Sequence, residues 1–178
     1  MQYFSRLSEK YHFMSCAIIP NANIQSVNGE YVQLAKKQIE ALGITVLFAD
    51  VLESQSKQVL NDVDVIYIAG GNTFKLLAEI KKGIGLKTLK KSIQASKATI
   101  GVSAGAILLT PTIRIANEIE PDVNDGRLSD FHALDLVNEE FLPHYEDALY
   151  DLVESYKSKH NVDVVSSRNG EFIVCDLR

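Results

Sequence analysis

The sequence has little cysteine and no long apolar run, and each of these absences excludes a class of protein. Its two cysteines, Cys16 and Cys175, are too few for a disulfide framework and lack the CxxC spacing of a zinc or redox site. The apolar runs are far shorter than a membrane span, and the opening residues do not form a signal peptide. We therefore expect a cytoplasmic protein with no membrane partner.

An excess of positive charge is also missing. The 178 residues carry a formal net charge of -5, which argues against a nucleic-acid partner. Lysines are frequent between residues 75 and 97, but no aromatic residues interleave with them after Phe74, so a solvated helix face explains them better. No metal-ligand cluster and no nucleotide-binding loop stands out, so we expect neither a metal nor another cofactor.

The chain does contain a regular alternation of short apolar runs and helical segments. A length of 178 residues predicts a single domain over residues 1–178. The alternation is typical of a layered α/β fold with a mainly parallel sheet. After Leu109 the pattern loosens into a hairpin or loop. The strands are predicted at about 14–19, 44–49, 63–69, 99–102, 162–166 and 171–176, and the main helices at about 30–42, 72–77, 86–96 and 147–160.

One stretch, residues 99–109, has the composition of a nucleophile elbow. A short apolar run ends in Gly-Val-Ser-Ala-Gly at 101–105, and a second apolar run with helical character follows. Small residues on both sides of Ser103 let a strand turn sharply into a helix. Such a turn exposes the hydroxyl and places backbone N–H groups at a helix N-terminus.

A pair of glycines, Gly70 and Gly71, breaks the chain after an earlier predicted strand. If that strand lies beside the one ending at Ser103, the N–H groups of Gly71 and Ala104 can converge on one point. Two such donors would stabilise the oxyanion of a tetrahedral intermediate. A tight turn with Asn72 as the helix N-cap explains the same residues equally well.

A catalytic serine needs a base, and the chain offers four histidines. His12 lies beside aromatic residues in an amphipathic segment, and His160 ends a helix, so structural roles explain both. His132 lies in a predicted loop. His144 follows a proline at the end of an extended segment, where a rigid turn can direct the ring. Position alone favours His144 only slightly over His132 as the base.

Three motifs in this order resemble the peptidase E family, the aspartyl dipeptidases of the S51 serine peptidases. They are Tyr-Ile-Ala-Gly-Gly-Asn-Thr-Phe at 67–74, Gly-Val-Ser-Ala-Gly-Ala at 101–106, and Phe-His-Ala-Leu-Asp-Leu at 131–136 ahead of Phe-Leu-Pro-His-Tyr at 141–145. Together they cover roughly the middle half of the chain. The resemblance implies a doubly wound, three-layer α/β sandwich of the flavodoxin-like or class I glutamine amidotransferase-like type.

The same resemblance implies the site. It assigns Ser103 as the nucleophile, His144 as the general base, and the N–H groups of Gly71 and Ala104 as the oxyanion hole. It places Asn72 and Arg114 at the substrate, although a surface role explains Arg114 about as well. The implied substrates are dipeptides and small peptides with an N-terminal aspartate.

The residue that orients the histidine is where the sequence departs from the family. The family's glutamate lies in a late Pro-Glu-Gly turn, and the matching turn here has Asn169. Glu171 lies two positions on, and Glu118 stands where the family has an aspartate, so all three are candidates. An asparagine can orient an imidazole but cannot offset its positive charge. Against the family pattern we also expect the chain to be shortened at both ends.

Three alternative functions follow from these departures and from the shared elbow motif. One is a catalytically silent relative that binds a small ligand or partner. Another is a cyanophycinase-like hydrolase of β-aspartyl links. The third is an α/β-hydrolase esterase, which needs a longer chain and a histidine farther from the nucleophile than 41 positions.

Overall fold

Four parallel strands form the centre of the structure, a computed structural model that describes residues 2–119 and 122–178. In chain order they are β1 (Ser15–Ile19), β2 (Thr45–Phe48), β3 (Val65–Ile68) and β4 (Ala98–Gly101). Their spatial order is β2-β1-β3-β4, and every neighbouring pair is parallel. The strand order therefore reverses between β1 and β3, and open α/β sheets bind ligands outside the strand ends at such a point.

Helices connect the strands and cover the sheet. Within the described ranges, no helix is both long enough and apolar enough to cross a bilayer. Short 3₁₀ turns at Ser26–Asn28 and Asp147–Leu149 precede two of the helices. The helices are α1 (Gln2–Tyr11), α2 (Glu30–Glu40), α3 (Ser56–Asn61), α4 (Thr73–Lys82), α5 (Leu86–Ala95), α6 (Ala104–Leu108), α7 (Ile115–Glu118) and α8 (Tyr150–His160).

The central strands β1 and β3 are buried on both faces, because their alternate residues pack to opposite sides of the sheet. In β1, Ala17 and Ile19 pack into one apolar cluster with residues of α3, α4 and α5. Cys16 and Ile18 pack into the other with residues of α1 and α2. Strands buried on both faces are continuous apolar runs, which is how they appear in the sequence. The prediction of a doubly wound sandwich with a mainly parallel sheet is confirmed.

A second, two-stranded sheet carries part of the site. Its strands β5 (Glu140–Leu142) and β6 (Val164–Ser166) are parallel, and α8 lies between them in the chain. Glu140 is 1% exposed, and its carboxylate accepts hydrogen bonds from the Thr112 hydroxyl at 2.6 Å and from the Tyr156 hydroxyl. A buried acid needs such partners. These two bonds join β5 to the segment before α7 and to α8.

Asp64 holds together the amino-terminal ends of three strands of the main sheet. Its carboxylate accepts hydrogen bonds from the N–H groups of Met14 at 2.7 Å and Ser15 at 3.3 Å, and it pairs with Lys97 at 2.8 Å. The bond from Lys97, followed by the bond from Met14, holds the pKa of Asp64 below its usual value. One side chain therefore joins the starts of β1, β3 and β4.

Two parts of the chain differ from the sequence prediction. The predicted hairpin or loop after Leu109 contains α7, and its only ladder contact in the described residues is an antiparallel bridge between Thr112 and His132. The predicted strand at 171–176 is wrong, because this segment pairs with no strand and is exposed throughout, with Val174 at 61%. Its apolar residues match a strand pattern, but β6 pairs only with β5 and offers it no ladder.

Candidate active site

Ser103 stands at a sharp turn between β4 and α6. Strand β4 ends at Gly101, and α6 begins at Ala104. The Ser103 backbone has φ 49° and ψ -112°, a left-handed φ that is costly for a residue with a side chain. The Ser103 side chain is half-buried and lines a pocket beyond the end of β4, as expected for a nucleophile elbow.

The glycines around Ser103 are required by close contacts. A Cβ at Gly105 would lie 2.2 Å from the carbonyl oxygen of Ile68 on the neighbouring strand β3. A Cβ at Gly101 would lie 2.7 Å from the Cα of Ala106. Neither position can hold a side chain unless the backbone moves. The Gly-x-Ser-x-Gly spacing therefore allows α6 to pack directly against β3 and β4.

His144 and Asn169 complete a hydrogen-bonded chain with the serine. Oγ of Ser103 lies 3.1 Å from Nε2 of His144, and Nδ1 of His144 lies 2.5 Å from Oδ1 of Asn169. His144 follows β5 and the buried Pro143, and its own φ is 56°. Asn169 lies just after β6, so the parallel pairing of β5 and β6 brings the two residues together.

The Asn169 contact sets the tautomer of the imidazole. Oδ1 of Asn169 can only accept a hydrogen bond, so Nδ1 of His144 must carry the hydrogen. In the neutral imidazole, Nε2 then carries no hydrogen and can accept the hydrogen bond from the Ser103 hydroxyl. This is the tautomer that a general base beside a serine requires.

The other candidates for these roles lie elsewhere. The Glu171 carboxylate accepts a hydrogen bond from the Arg168 N–H at 2.8 Å, within its own turn. Glu118 pairs with Lys159 at 2.7 Å and with His160 at 3.0 Å, on the side of α8. His132 is exposed and bonded to Asp130. Among the predicted residues, the structure brings Asn169 to His144 and leaves Glu171 and Glu118 apart from it.

The predicted oxyanion donors lie on neighbouring strands. Strands β3 and β4 are paired, and a Cβ at Gly70 would lie 3.3 Å from the Cβ of Ser103, so the glycine turn contacts the elbow. Gly71 has φ 141°, and a Cβ there would meet the carbonyl oxygen of Ala22 at 2.2 Å. Within residues 2–119 and 122–178, the N–H groups of Gly71 and Ala104 donate no hydrogen bond, as an oxyanion hole requires.

Asn72 and Arg114 have other contacts in this structure. Oδ1 of Asn72 accepts a hydrogen bond from the Lys75 N–H and caps α4, and Nδ2 donates to the carbonyl oxygen of Val123. Arg114 lies at the start of α7, where its charge acts on Tyr156 of α8. It is not among the described residues that line the pocket at Ser103. The N-cap role considered for Asn72 is thus the one its side chain performs here.

A pocket of about 340 Å³ opens beside the serine. It includes one acid that the sequence interpretation missed, Asp122, because Asp122 lies in an irregular segment where no periodicity or turn motif marks it. Among the described residues, no group of three or more His, Cys, Asp or Glu side chains is placed to hold a metal ion. The pocket is lined by Gly71, Thr73, Ser103, Ile107, Asp122, Pro143 and His144.

Comparison with known proteins gives the relatives of this chain. It is 30% identical to an uncharacterised peptidase of Listeria monocytogenes over 96% of its own length and 87% of the relative. It is 34% identical to peptidase E of Salmonella heidelberg over 76% of its own length and 57% of the relative. A solved structure of a provisionally named peptidase E from Listeria monocytogenes matches with a TM-score of 0.70 and 30% identity, covering 93% of this chain and 87% of the other. The sequence profile of peptidase family S51 matches residues 1–176, and the chain belongs to this family.

Proposed function

We propose that this S51 peptidase is a serine-type enzyme that hydrolyses dipeptides and small peptides through Ser103, His144 and Asn169. The observation that carries the proposal is the hydrogen-bonded chain from Ser103 Oγ to His144 Nε2 and from His144 Nδ1 to Asn169. It combines a serine on a strained backbone, accessible from the pocket, with a base in the correct tautomer, which is the arrangement that activates a serine.

The proposed reaction uses each part of the site in turn, first in acylation of the serine and then in deacylation. Nε2 of His144 takes the proton as Ser103 Oγ attacks the peptide carbonyl carbon. The Gly71 and Ala104 N–H groups donate to the oxygen that becomes negative. The imidazolium then gives its proton to the leaving amine, which departs and leaves an acyl-serine. A water molecule, activated by the same imidazole, releases the acid and restores the serine.

Small peptides are the substrate class because the pocket is small. About 340 Å³ is near the lower end of the range for ligand pockets and matches one or two amino-acid residues. The family resemblance makes an N-terminal aspartate the first residue to test. Arg114, which the resemblance places at the substrate, does not line the pocket, so it gives no support for a preference for aspartate. We therefore propose small peptides as the substrate class and aspartyl dipeptides as the first of them to test.

The test is hydrolysis of a dipeptide panel by the purified protein. The panel holds α-aspartyl, β-aspartyl and alanyl dipeptides. Ser103→Ala and His144→Ala are each expected to lower kcat by about 10³-fold or more. Ser158→Ala, which changes an exposed serine on α8, is the control and leaves kcat unchanged. A Ser103→Ala variant as fast as the parent would refute the proposal, and a preference for β-aspartyl dipeptides would favour the cyanophycinase-like alternative.

A second candidate is a catalytically silent relative that binds a small ligand. The observation in its favour is Asn169, which is neutral and cannot offset the charge of an imidazolium. A serine-directed acylating probe separates the two, because it labels only an activated hydroxyl. Labelling of the parent at Ser103, absent in His144→Ala, supports the peptidase, and no labelling of the parent supports the silent relative.

A further inference from the structure

Asp122 introduces a negative charge into the pocket that the hydrolysis steps do not use. Among the described residues that line the pocket, it is the only one with a carboxylate, and none of them carries an ammonium or guanidinium group. Ser103 and His144 line the same space of about 340 Å³. A substrate whose carbonyl carbon reaches Ser103 therefore places its neighbouring groups in the pocket that Asp122 also lines.

The carboxylate of Asp122 is fixed by its neighbours. One oxygen, Oδ2, accepts a hydrogen bond of 2.6 Å from the Thr73 N–H at the start of α4. The Asp122 N–H donates to the carbonyl oxygen of Ala116 at 2.9 Å, and the next residue, Val123, accepts a bond from the Asn72 side chain. Within the described part of the chain, Oδ1 accepts no hydrogen bond. A held carboxylate with one free oxygen is preorganised to bind a cation.

We propose that Asp122 binds the free α-ammonium group of the substrate and so determines that this enzyme removes residues from the amino terminus. The inference rests on the proposed peptidase function. In a dipeptide the scissile carbonyl belongs to the first residue, so only the α-carbon separates it from the ammonium nitrogen. Ser103 and Asp122 line the same pocket, so a dipeptide bound there can present the carbonyl to the first and the ammonium group to the second. Acetylating the amine removes the charge and replaces the pairing with a bulky neutral amide.

The kinetic test compares a free amine with its acetylated form. The substrates are the p-nitroanilide of alanine or aspartate, whichever the parent cleaves faster, and its N-acetyl derivative. Asp122→Asn keeps an oxygen for the Thr73 N–H but removes the charge. We expect it to lower kcat/KM for the free amine by about 10- to 100-fold, the effect of losing a charged hydrogen bond, and to change the acetylated substrate less than about twofold.

A matched control isolates the position from the charge. Asp125→Asn makes the same change in an exposed residue three positions away that does not line the pocket. It should leave both substrates unaffected. The assignment of Asp122 is overturned if Asp122→Asn affects the two substrates equally or affects neither.

A binding measurement keeps this inference separate from the proposed function. In the Ser103→Ala background, calorimetry measures the Kd of alanyl-alanine and of N-acetyl-alanyl-alanine. Adding Asp122→Asn should weaken binding of the free dipeptide about tenfold or more and leave the acetylated one unchanged. Equal affinities for the two peptides in Ser103→Ala would overturn the role of Asp122 even in an active enzyme. A parent that shows this binding preference but hydrolyses nothing would overturn the peptidase and not the ammonium site.

Discussion

Asn169 is a neutral third member of the hydrogen-bonded chain that runs from Ser103 through His144. It contributes a carbonyl oxygen that fixes the His144 tautomer, but no charge to stabilise the imidazolium that would form in the proposed attack by Ser103. The orientation of the ring and the stabilisation of its charge, which a carboxylate would supply together, are therefore separate in this enzyme. Substitutions at this one position can measure each contribution.

Asn169→Asp and Asn169→Ala test the two contributions. The carboxylate stabilises the imidazolium, so we expect kcat to rise about tenfold and the acidic limb of the kcat/KM profile to move to higher pH. The alanine removes the orienting bond, so kcat should fall by roughly 10- to 100-fold. The measurement is a pH–rate profile on the best dipeptide. Asn28→Asp, at an exposed residue, serves as the charge control, and a profile for Asn169→Asp identical to that of the parent would contradict this role.

At the scale of the elements, the four main strands and their helices were predictable because each is specified locally. Each of these strands is a short apolar run bounded by turn or polar residues, and the elbow is marked by its own glycines. The same motifs predicted Ser103, Gly71 and Ala104. The position of His144 after a proline favoured it slightly over His132, and the family resemblance assigned it as the base.

What could not be predicted depends on contacts between distant residues. Asn169 rather than Glu171 reaches His144 because the Glu171 carboxylate bonds the Arg168 N–H inside the turn, a geometry that counting residues does not reveal. Asp122 enters the pocket through its bond to Thr73, 49 positions away. The segment 171–176 has a strand's composition but no neighbouring ladder.

The packing of α6 on β3 gives a prediction about stability. Gly105→Ala places a methyl group 2.2 Å from the Ile68 carbonyl oxygen, and backbone cannot rotate out of the way. We expect the free energy of unfolding to fall by about 2–3 kcal/mol in urea titrations, as for overpacked sites. Gly126→Ala is the matched control, since a Cβ there meets nothing within 4 Å, and its effect should stay within about 0.5 kcal/mol. Equal effects of the two variants would contradict the close approach.

For the molecule as a whole, two partly buried carboxyl groups couple stability to pH. Hydrogen bonds from Lys97 and Met14 lower the pKa of Asp64. Partial burial raises the pKa of Glu118, but bonds from Lys159 and His160 outweigh it and leave that pKa below its ordinary value. Both groups bind protons less readily folded than unfolded, so their stabilisation is present above about pH 5 and is lost as the pH falls below about 4.

Asp64→Asn tests this coupling of stability to pH at the amino-terminal ends of the strands. The variant loses the charged bonds to Lys97 and to the β1 backbone, so we expect it to be less stable than the parent by about 1–2 kcal/mol at pH 7. At pH 3 the difference should shrink, because the parent's carboxyl is then becoming protonated too. Asp62→Asn, at an exposed neighbour, is the control. A difference that does not change with pH would show that the charge of Asp64 is not responsible.

The two cysteines should differ in their reactivity with a thiol reagent in the folded protein. Burial raises the pKa of the Cys16 thiol to about 12, and this residue is 0% exposed, whereas Cys175 lies in the exposed segment 171–176. A disulfide reagent such as DTNB should therefore modify one thiol in native buffer and both in denaturant. Cys175→Ser should abolish the native reaction. Rapid native modification of Cys16 would contradict the burial of β1.

The hydrogen-bonded chain of Ser103, His144 and Asn169 also joins two sheets that share no ladder in the described residues. Ser103 ends a strand of the main sheet, whereas His144 and Asn169 follow the two strands of the small one, which is anchored through Glu140. We therefore expect the turnover rate to depend on the position of the small sheet relative to the main sheet. A displacement of about 1 Å can cost about 100-fold in rate. In mild denaturant, catalysis should fail while the far-UV circular dichroism of the protein is still close to its native value, so that inactivation precedes unfolding and reports a partial opening of the molecule.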